Sequence, residues 1–284
     1  MDVRVMLRAG LVIKKGSSKA KEVAEEVIRC LKENNVEIYI EEDVATELSS
    51  LVCKVFSLRE PNVDFLVVIG GDGTLFRALH KLGNPDIPIL TVRAGRRGFI
   101  LDVDPYEVSE RLRDFLKGRY FIKEYFRLKV LINGFEKTPS AVNDVVLMTT
   151  GIYRTKIGRL IIMRNHYSVY NIDGDGVIVA TPLGSTAYSL AAGGPVLDHD
   201  LDAIVVTPLA PIQLGIRPIV LPSNAEIHIK VRSDSPPLLL SIDGQVNVEV
   251  MPDSIVKVFK DERRFKLVRF KAGWLYERLT SRIM

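Results

Sequence analysis

The chain has 284 residues, 47% of them hydrophobic and 26% charged, with a net charge of +4. That length allows one large domain or two smaller ones, and the composition is too apolar for a disordered chain. The basic excess is small and dispersed, which suits an anionic small molecule and excludes the concentrated footprint of a nucleic-acid binder.

The two cysteines, Cys30 and Cys53, form no CxxC pair and have no histidine cluster beside them, which argues against zinc and fits a reducing compartment. Met1–Ile13 carries Asp2, Arg4 and Arg8 among apolar residues, so it reads as strand, centred on Val3–Leu7, and not as a signal peptide. No apolar run reaches the roughly 18 residues of a membrane span. The expectation is a cytoplasmic protein.

Strand and helix then alternate. Ser17–Leu31 places Val23, Ala24, Val27, Ile28 and Leu31 at helical spacing behind a serine cap. Val36–Ile40 reads as a strand and Thr46–Leu58 as a helix. Phe65–Ile69 is an unbroken apolar run, the pattern of a buried parallel strand. A glycine turn, a helix to Leu82 and a strand at Ile87–Val92 follow, and then a helix over Tyr106–Lys117. This alternation predicts an open, Rossmann-like α/β domain over 1–104 with ligands at the carboxyl ends of its strands. From Tyr125 to Phe270 short strand-like runs recur at 8–12-residue spacing, predicting a β-sandwich-like unit over 105–270. A short helix is expected at Ser185–Ala192 and a helical tail over 271–284. The expected ligand site is a cleft between the two domains.

Gly70-Gly71-Asp72-Gly73-Thr74 follows the buried strand and opens a helix. Glycines let the backbone approach a phosphate closely, and a helix amino terminus offers free N–H groups. An aspartate beside a polyphosphate is repelled unless a metal lies between them or it must take a proton from an attacking hydroxyl. Both readings point to phosphoryl transfer; the structural alternative is a helix cap. Neither a GxxxxGK[ST] loop nor a full GxGxxG stands at a strand–helix junction, which disfavours a Walker ATPase and a dehydrogenase. Further along, Asn171-Ile172-Asp173-Gly174-Asp175-Gly176 lacks the closing glutamate of an EF-hand and could be a hairpin turn. Pro182-Leu183-Gly184-Ser185-Thr186 turns into a helix and exposes N–H groups and hydroxyls.

Five segments together resemble the NAD kinase family: Gly70–Thr74, Gly95-Arg96-Arg97-Gly98-Phe99, Asn143-Asp144, Asp175–Pro195 and Asp243-Gly244-Gln245. The resemblance spans most of the chain. It implies phosphorylation of the ribose 2′-hydroxyl of NAD by ATP, or by polyphosphate, with Mg2+ or another divalent metal arriving on ATP and no dedicated protein metal site. It implies Asp72 as the catalytic base, with Gly71 and Gly73 at the substrate. Asn143 and Asp144 would hold adenosine and ribose groups, and Asp175 the nicotinamide side. Thr186, Ala187, Tyr188 and Ser189 would wall the dinucleotide, and Arg154 would lie near its phosphates. Gln245 would make a late contact, with Arg77 and Asp173 as weaker correspondences. A homodimer or homotetramer is implied too. Leu183 stands where Thr or Ser is usual, and Arg96-Arg97 is more basic than usual. The rival readings are a lipid or sphingoid-base kinase, which shares the glycine turn, and a non-catalytic NAD-binding regulator.

Overall fold

A computed structural model describes residues 6–48, 53–95, 98–153 and 155–282. The chain divides into two compact units, Met1–Tyr125 with Arg264–Met284, and Phe126–Arg263. The borders therefore fall at 125 and 263, where the sequence placed them at 104 and 270. The reason is that the segment after residue 104 and the last strand both pair into the first unit's sheet.

That sheet contains β1 (Arg8–Ile13), β2 (Glu37–Glu41), β3 (Lys54–Phe56), β4 (Phe65–Gly70), β5 (Pro88–Arg93) and β6 (Phe121–Tyr125), plus β18 (Phe265–Arg269) from the end of the chain. Its order is β3-β2-β1-β4-β5-β18-β6, parallel except for β6. Helices α1 (Ser18–Glu33), α2 (Asp72–Lys81), α3 (Val108–Leu116) and α5 (Trp274–Arg282) complete the unit. The Ser17 hydroxyl accepts from Ala20 N at 3.3 Å to cap α1, and Val23, Ala24, Val27, Ile28 and Leu31 are buried as their spacing requires.

Two expectations change here. The first described strand is Arg8–Ile13; of the strand expected at Val3–Leu7, residues 3–5 lie outside the described residues and Met6 and Leu7 precede that strand. A central parallel strand is buried on both faces, and Ala9–Ile13 is the run that meets this demand. The helix expected over Thr46–Leu58 is instead a 3-10 turn, Glu42–Leu48, and the edge strand β3, with 49–52 outside the described residues. A three-residue edge strand that buries only Phe56 has too little alternation to stand out from a helical face.

The second unit stacks two antiparallel sheets. One has the order β10-β9-β14-β17-β7, the other β13-β12-β11-β8-β15-β16. In chain order these are β7 (Leu128–Ile132), β8 (Asp144–Met148), β9 (Gly158–Arg164), β10 (Tyr167–Gly174), β11 (Gly176–Ala180), β12 (Ala203–Leu209), β13 (Ile219–Pro222), β14 (Ile227–Val231), β15 (Leu238–Ile242), β16 (Val246–Val250) and β17 (Ile255–Lys260). Alternate residues such as Leu160, Ile162, Ile229 and Val258 on one sheet and Val145, Leu147, Val177 and Val206 on the other form one core. Val146, Ile178 and Val205 point to the opposite face, where Leu197 covers them, so β8 and β11 are buried on both sides.

The two Asp-Gly pairs do not make a hairpin. They carry the chain from one sheet to the other, with only Asp175 between β10 and β11. A Cβ at Gly174 would lie 2.8 Å from Ala210 O, and one at Gly176, where φ is +156°, would lie 2.1 Å from Leu147 O. Only glycine lets the backbones approach this closely at the crossing.

Candidate functional site

In the first unit the strand order 3-2-1-4-5 reverses direction between β1 and β4, the switch point at which open α/β sheets bind ligands. The loops leaving those two strands meet there, with Lys14 N donating to Ile69 O at 2.9 Å. The glycine turn follows β4. A Cβ at Gly70 would stand 2.3 Å from the Thr74 hydroxyl, so the tight entry into α2 requires glycine. Gly71 is the residue before the helix; its N–H donates to Thr74 Oγ1 at 3.5 Å, and it has no side chain with which to complete a reciprocal cap. Gly73 lies in the first turn of α2.

Asp72 is the first residue of α2 and does not cap it. Its carboxylate accepts from Phe99 N at 2.7 Å and from Ile100 N at 3.0 Å. An ionised carboxylate has about four acceptor positions, so two remain for a substrate hydroxyl. Arg77, one and a half turns further on, is committed elsewhere: it pairs with Glu41 at 2.6 Å, which is 1% exposed, and with Asp43 at 3.0 Å. It balances a buried carboxylate. Arg96, Arg97 and Arg154 lie outside the described residues.

In the second unit Asn143 and Asp144 stand at the entrance of β8. Their backbone is held by a residue that the sequence offered only as part of the Asp243-Gly244-Gln245 segment, with no role of its own. Asp243, in the β15–β16 turn at φ +49°, accepts from Val142 N, Asn143 N and Asp144 N at 2.8, 2.7 and 3.0 Å. Thr181 completes the frame: its N–H donates to Asn143 O and its hydroxyl to Val142 O, both at 2.8 Å, while Gly184 N donates to Thr181 Oγ1 at 3.1 Å. A Cβ at Gly184 would sit 2.1 Å from Asn143 O. The Thr181–Thr186 turn thus lies directly on the Asn143-Asp144 backbone. Leu183, at 3% exposure, packs into the interior. The Asn143 Oδ1 is buried and has no hydrogen-bond partner, an acceptor available to a ligand donor.

Asp144 is 6% exposed, and burial, with the Asp243 carboxylate adding to it, pushes its carboxyl from 3.8 to about 7. A raised acid binds its proton in the folded state while the unfolded chain has released it, so stability falls as pH rises from about 4 to 7. The shift corresponds to an effect on the order of 4 kcal/mol. Asp144→Asn should therefore melt increasingly higher than the parent as pH goes from 5 to about 7, with the difference levelling off by pH 8.5. Parallel melting curves across that range would show that Asp144 stays ionised.

A cavity of about 730 Å3 opens at the other end of β8 and β11, lined by Thr149, Thr150, Asp175, Tyr188, Ala191 and Leu209 among others. Asp175 is pinned by its backbone, donating to Leu209 O and accepting from Thr149 N, each at 2.9 Å, and its side chain is exposed at the rim. Tyr188, 44% exposed, begins the short helix α4 (Tyr188–Ala191). Thr186 donates to Leu183 O at 3.2 Å within the preceding 3-10 turn, and Ala187 links the two. The other expected residues stand apart from this cavity. Ser189 is fully buried, its hydroxyl 2.8 Å from that of Thr207, so it packs α4 against β12. Asp173 exchanges hydrogen bonds with Gln213 at 3.2 and 3.3 Å; its Oδ1 has only charge contacts, Arg232 at 3.7 Å and Arg159 at 3.9 Å. Gln245 is exposed beyond the Asp243 turn.

The class these features define is an open α/β fold with an acid at a glycine turn, joined in one chain to a β-sandwich bearing a polar pocket. The profile of the ATP-NAD kinase N-terminal domain matches residues 9–120, and that of the ATP-NAD kinase C-terminal domain residues 142–270. An NAD kinase of Aeropyrum pernix is 40% identical over 278 residues, 97% of each chain. One from Thermococcus sibiricus is 35% identical over 98% of this chain and 99% of its own. Among solved structures, an Archaeoglobus fulgidus NAD kinase in complex with ATP aligns at TM-score 0.75 and 26% identity, over 97% of this chain and 99% of that one. A yeast NADH kinase complexed with NADH shares the fold at TM-score 0.89 and 23% identity, over 99% and 88%. The chain belongs to the NAD kinase family.

Proposed function

We propose that this chain transfers the γ-phosphoryl group of ATP to the 2′-hydroxyl of the adenosine ribose of NAD, giving NADP and ADP, with Asp72 as the base. The observation that carries the reading is an acid at the phosphate-binding turn whose carboxylate is oriented by two backbone amides and keeps free acceptor capacity. In the step, the hydroxyl proton passes to Asp72, the ribose oxygen bonds to the γ-phosphorus, and the bond from that phosphorus to the β–γ bridging oxygen breaks. The helix amino terminus and the neighbouring Lys14 loop would favour the triphosphate. The second unit would hold the acceptor: Asn143 and Asp144 at the adenosine, and Asp175, Tyr188, Thr186 and Ala187 along the dinucleotide.

Among the described residues no group of three or more His, Cys, Asp or Glu could hold a metal ion. Mg2+ prefers phosphate oxygens, so an ion carried in on ATP would neutralise charge on its phosphates, as the family resemblance implies. A cytoplasmic setting rests on the composition and on the free thiols Cys30 and Cys53. A homodimer or homotetramer rests on the family resemblance, and light scattering tests it. No helix among the described residues is long and apolar enough to cross a membrane. The lipid-kinase reading is disfavoured by relatives of one named activity that match nearly the whole chain. A non-catalytic regulator is disfavoured by the intact acid at the turn.

The test is direct. The purified protein is incubated with NAD or NADH, with ATP or polyphosphate, and with or without Mg2+, and NADP(H) is measured. NADP formation with NAD, ATP and Mg2+ is expected; tight NAD binding with no product under any donor would favour the regulator. Ala191→Trp, which places an indole in the 730 Å3 cavity, should raise the KM for NAD by on the order of tenfold or more and leave the KM for ATP near its parent value. An unchanged KM for NAD would remove the cavity from the site.

A further inference from the structure

We propose that Arg269 is a positioning residue for phosphoryl transfer, holding Asp72 in place through the Phe99–Val103 segment; this rests on the reading of Asp72 as the base. Arg269 ends β18, almost two hundred residues after Asp72, and is 0% exposed. A guanidinium withdrawn from water is costly unless its donors are met. Two of its nitrogens meet one short run of chain and its surroundings, while Nε is buried without a hydrogen-bond partner. Nη1 donates to Ile100 O at 2.7 Å, Nη2 donates to the Tyr125 hydroxyl at 3.1 Å, and Asp102 Oδ1 lies 3.8 Å away. The indole of Trp274, the first residue of α5, stacks on the guanidinium at 4.0 Å and confines it to this orientation.

Ile100 is bracketed. Its N–H donates to Asp72 and its carbonyl accepts from Arg269. The flanking residues repeat the pattern. Phe99 N–H also donates to Asp72, Leu101 O accepts from Arg278 at 3.0 Å, and Asp102 Oδ2 accepts from Phe270 N at 3.0 Å. From the sheet side, Asp102 N donates to Thr91 Oγ1 and Val103 N to Thr91 O, at 3.0 and 3.1 Å. Residues 98–102 belong to no helix or strand, so no ladder sets where the two amides lie. Their place is set by the groups at either side, and those amides orient the carboxylate. A leucine or methionine would fill the same interior volume at less desolvation cost, but neither could hold the Ile100 carbonyl.

A merely structural arginine would lower stability and act equally in every background. A positioning arginine acts through Asp72, so its effect should vanish when Asp72 cannot serve as base. The experiment measures kcat, KM for NAD, NAD affinity and melting temperature for Arg269→Met, Arg269→Lys and Asp72→Asn, and for each Arg269 variant combined with Asp72→Asn. The expected result is a fall in kcat of about tenfold for Arg269→Met with NAD affinity within about twofold, as for a displaced reacting group. Arg269→Lys, which can still reach the carbonyl with one donor, should recover part of it. In the Asp72→Asn background either change should alter kcat by less than about twofold. Parent kcat in Arg269→Met, an equal loss in both backgrounds, or weaker NAD binding in place of slower turnover overturns the proposal. If Arg269→Met does not fold, the same comparison with Arg269→Lys decides it. Full turnover in Asp72→Asn alone overturns the base reading itself, and is told apart from a failure confined to Arg269.

Discussion

Asp72→Asn is expected to fold, to bind NAD, and to lose on the order of 10²–10⁴ in turnover, the usual contribution of a general base. An amide cannot accept the 2′-hydroxyl proton, so the full barrier of an unactivated alcohol returns, about 3–5 kcal/mol at a factor of ten per 1.36 kcal/mol. The geometry adds a second, separable effect. The aspartate oxygens now satisfy both Phe99 N and Ile100 N. Asparagine can satisfy one of them and sets an N–H group against the other, which costs stability of about 1–3 kcal/mol. A lower melting temperature with near-parent turnover would mean that Asp72 only anchors the segment after Gly98. A turnover collapse well beyond what the melting shift explains supports its role as base.

Asp243→Ala should be the most damaging change outside the glycine turn. It strips the acceptor from three consecutive amides, Val142 N, Asn143 N and Asp144 N. Each amide left unpaired costs about 1–3 kcal/mol, so the dry limit is a loss on the order of 3–9 kcal/mol, and water entering the space lowers it. The KM for NAD should rise with it, because the Asn143-Asp144 backbone loses its frame. Asp243→Asn separates the two consequences. It retains an acceptor oxygen, and by removing a like charge it should bring the Asp144 carboxyl down from about 7, moving the fall in stability to lower pH. Urea denaturation across pH 4–8 reads both. Unchanged stability in Asp243→Ala would mean that the three amides find other acceptors.

Much of the first unit was legible because its signals are local. The run Phe65–Ile69 is apolar on both faces and the glycines after it admit one kind of turn. In the second unit the signal is weaker where β10 runs through Asn171 and Asp173, residue types that usually mark turns. The Asp173–Gly176 run looked like a hairpin because a close backbone crossing and a tight turn both call for glycine. Only the neighbouring carbonyls of Leu147 and Ala210 reveal which it is.

Local residue patterns are enough for the glycine turn after a buried strand, the Asn143-Asp144 pair and the Thr181–Ser189 segment, because each is a run of adjacent residues whose backbone demands are written in their side chains. The tertiary structure alone decided what holds them. Asp243 reaches back about a hundred residues to three amides, Arg77 turns to a buried Glu41, and Arg269 closes on Ile100. A charged residue in a sequence carries no mark of whether it will face a ligand, a solvent or a buried backbone group. That depends on which groups the folded chain brings within hydrogen-bond distance and on how much water it removes from them.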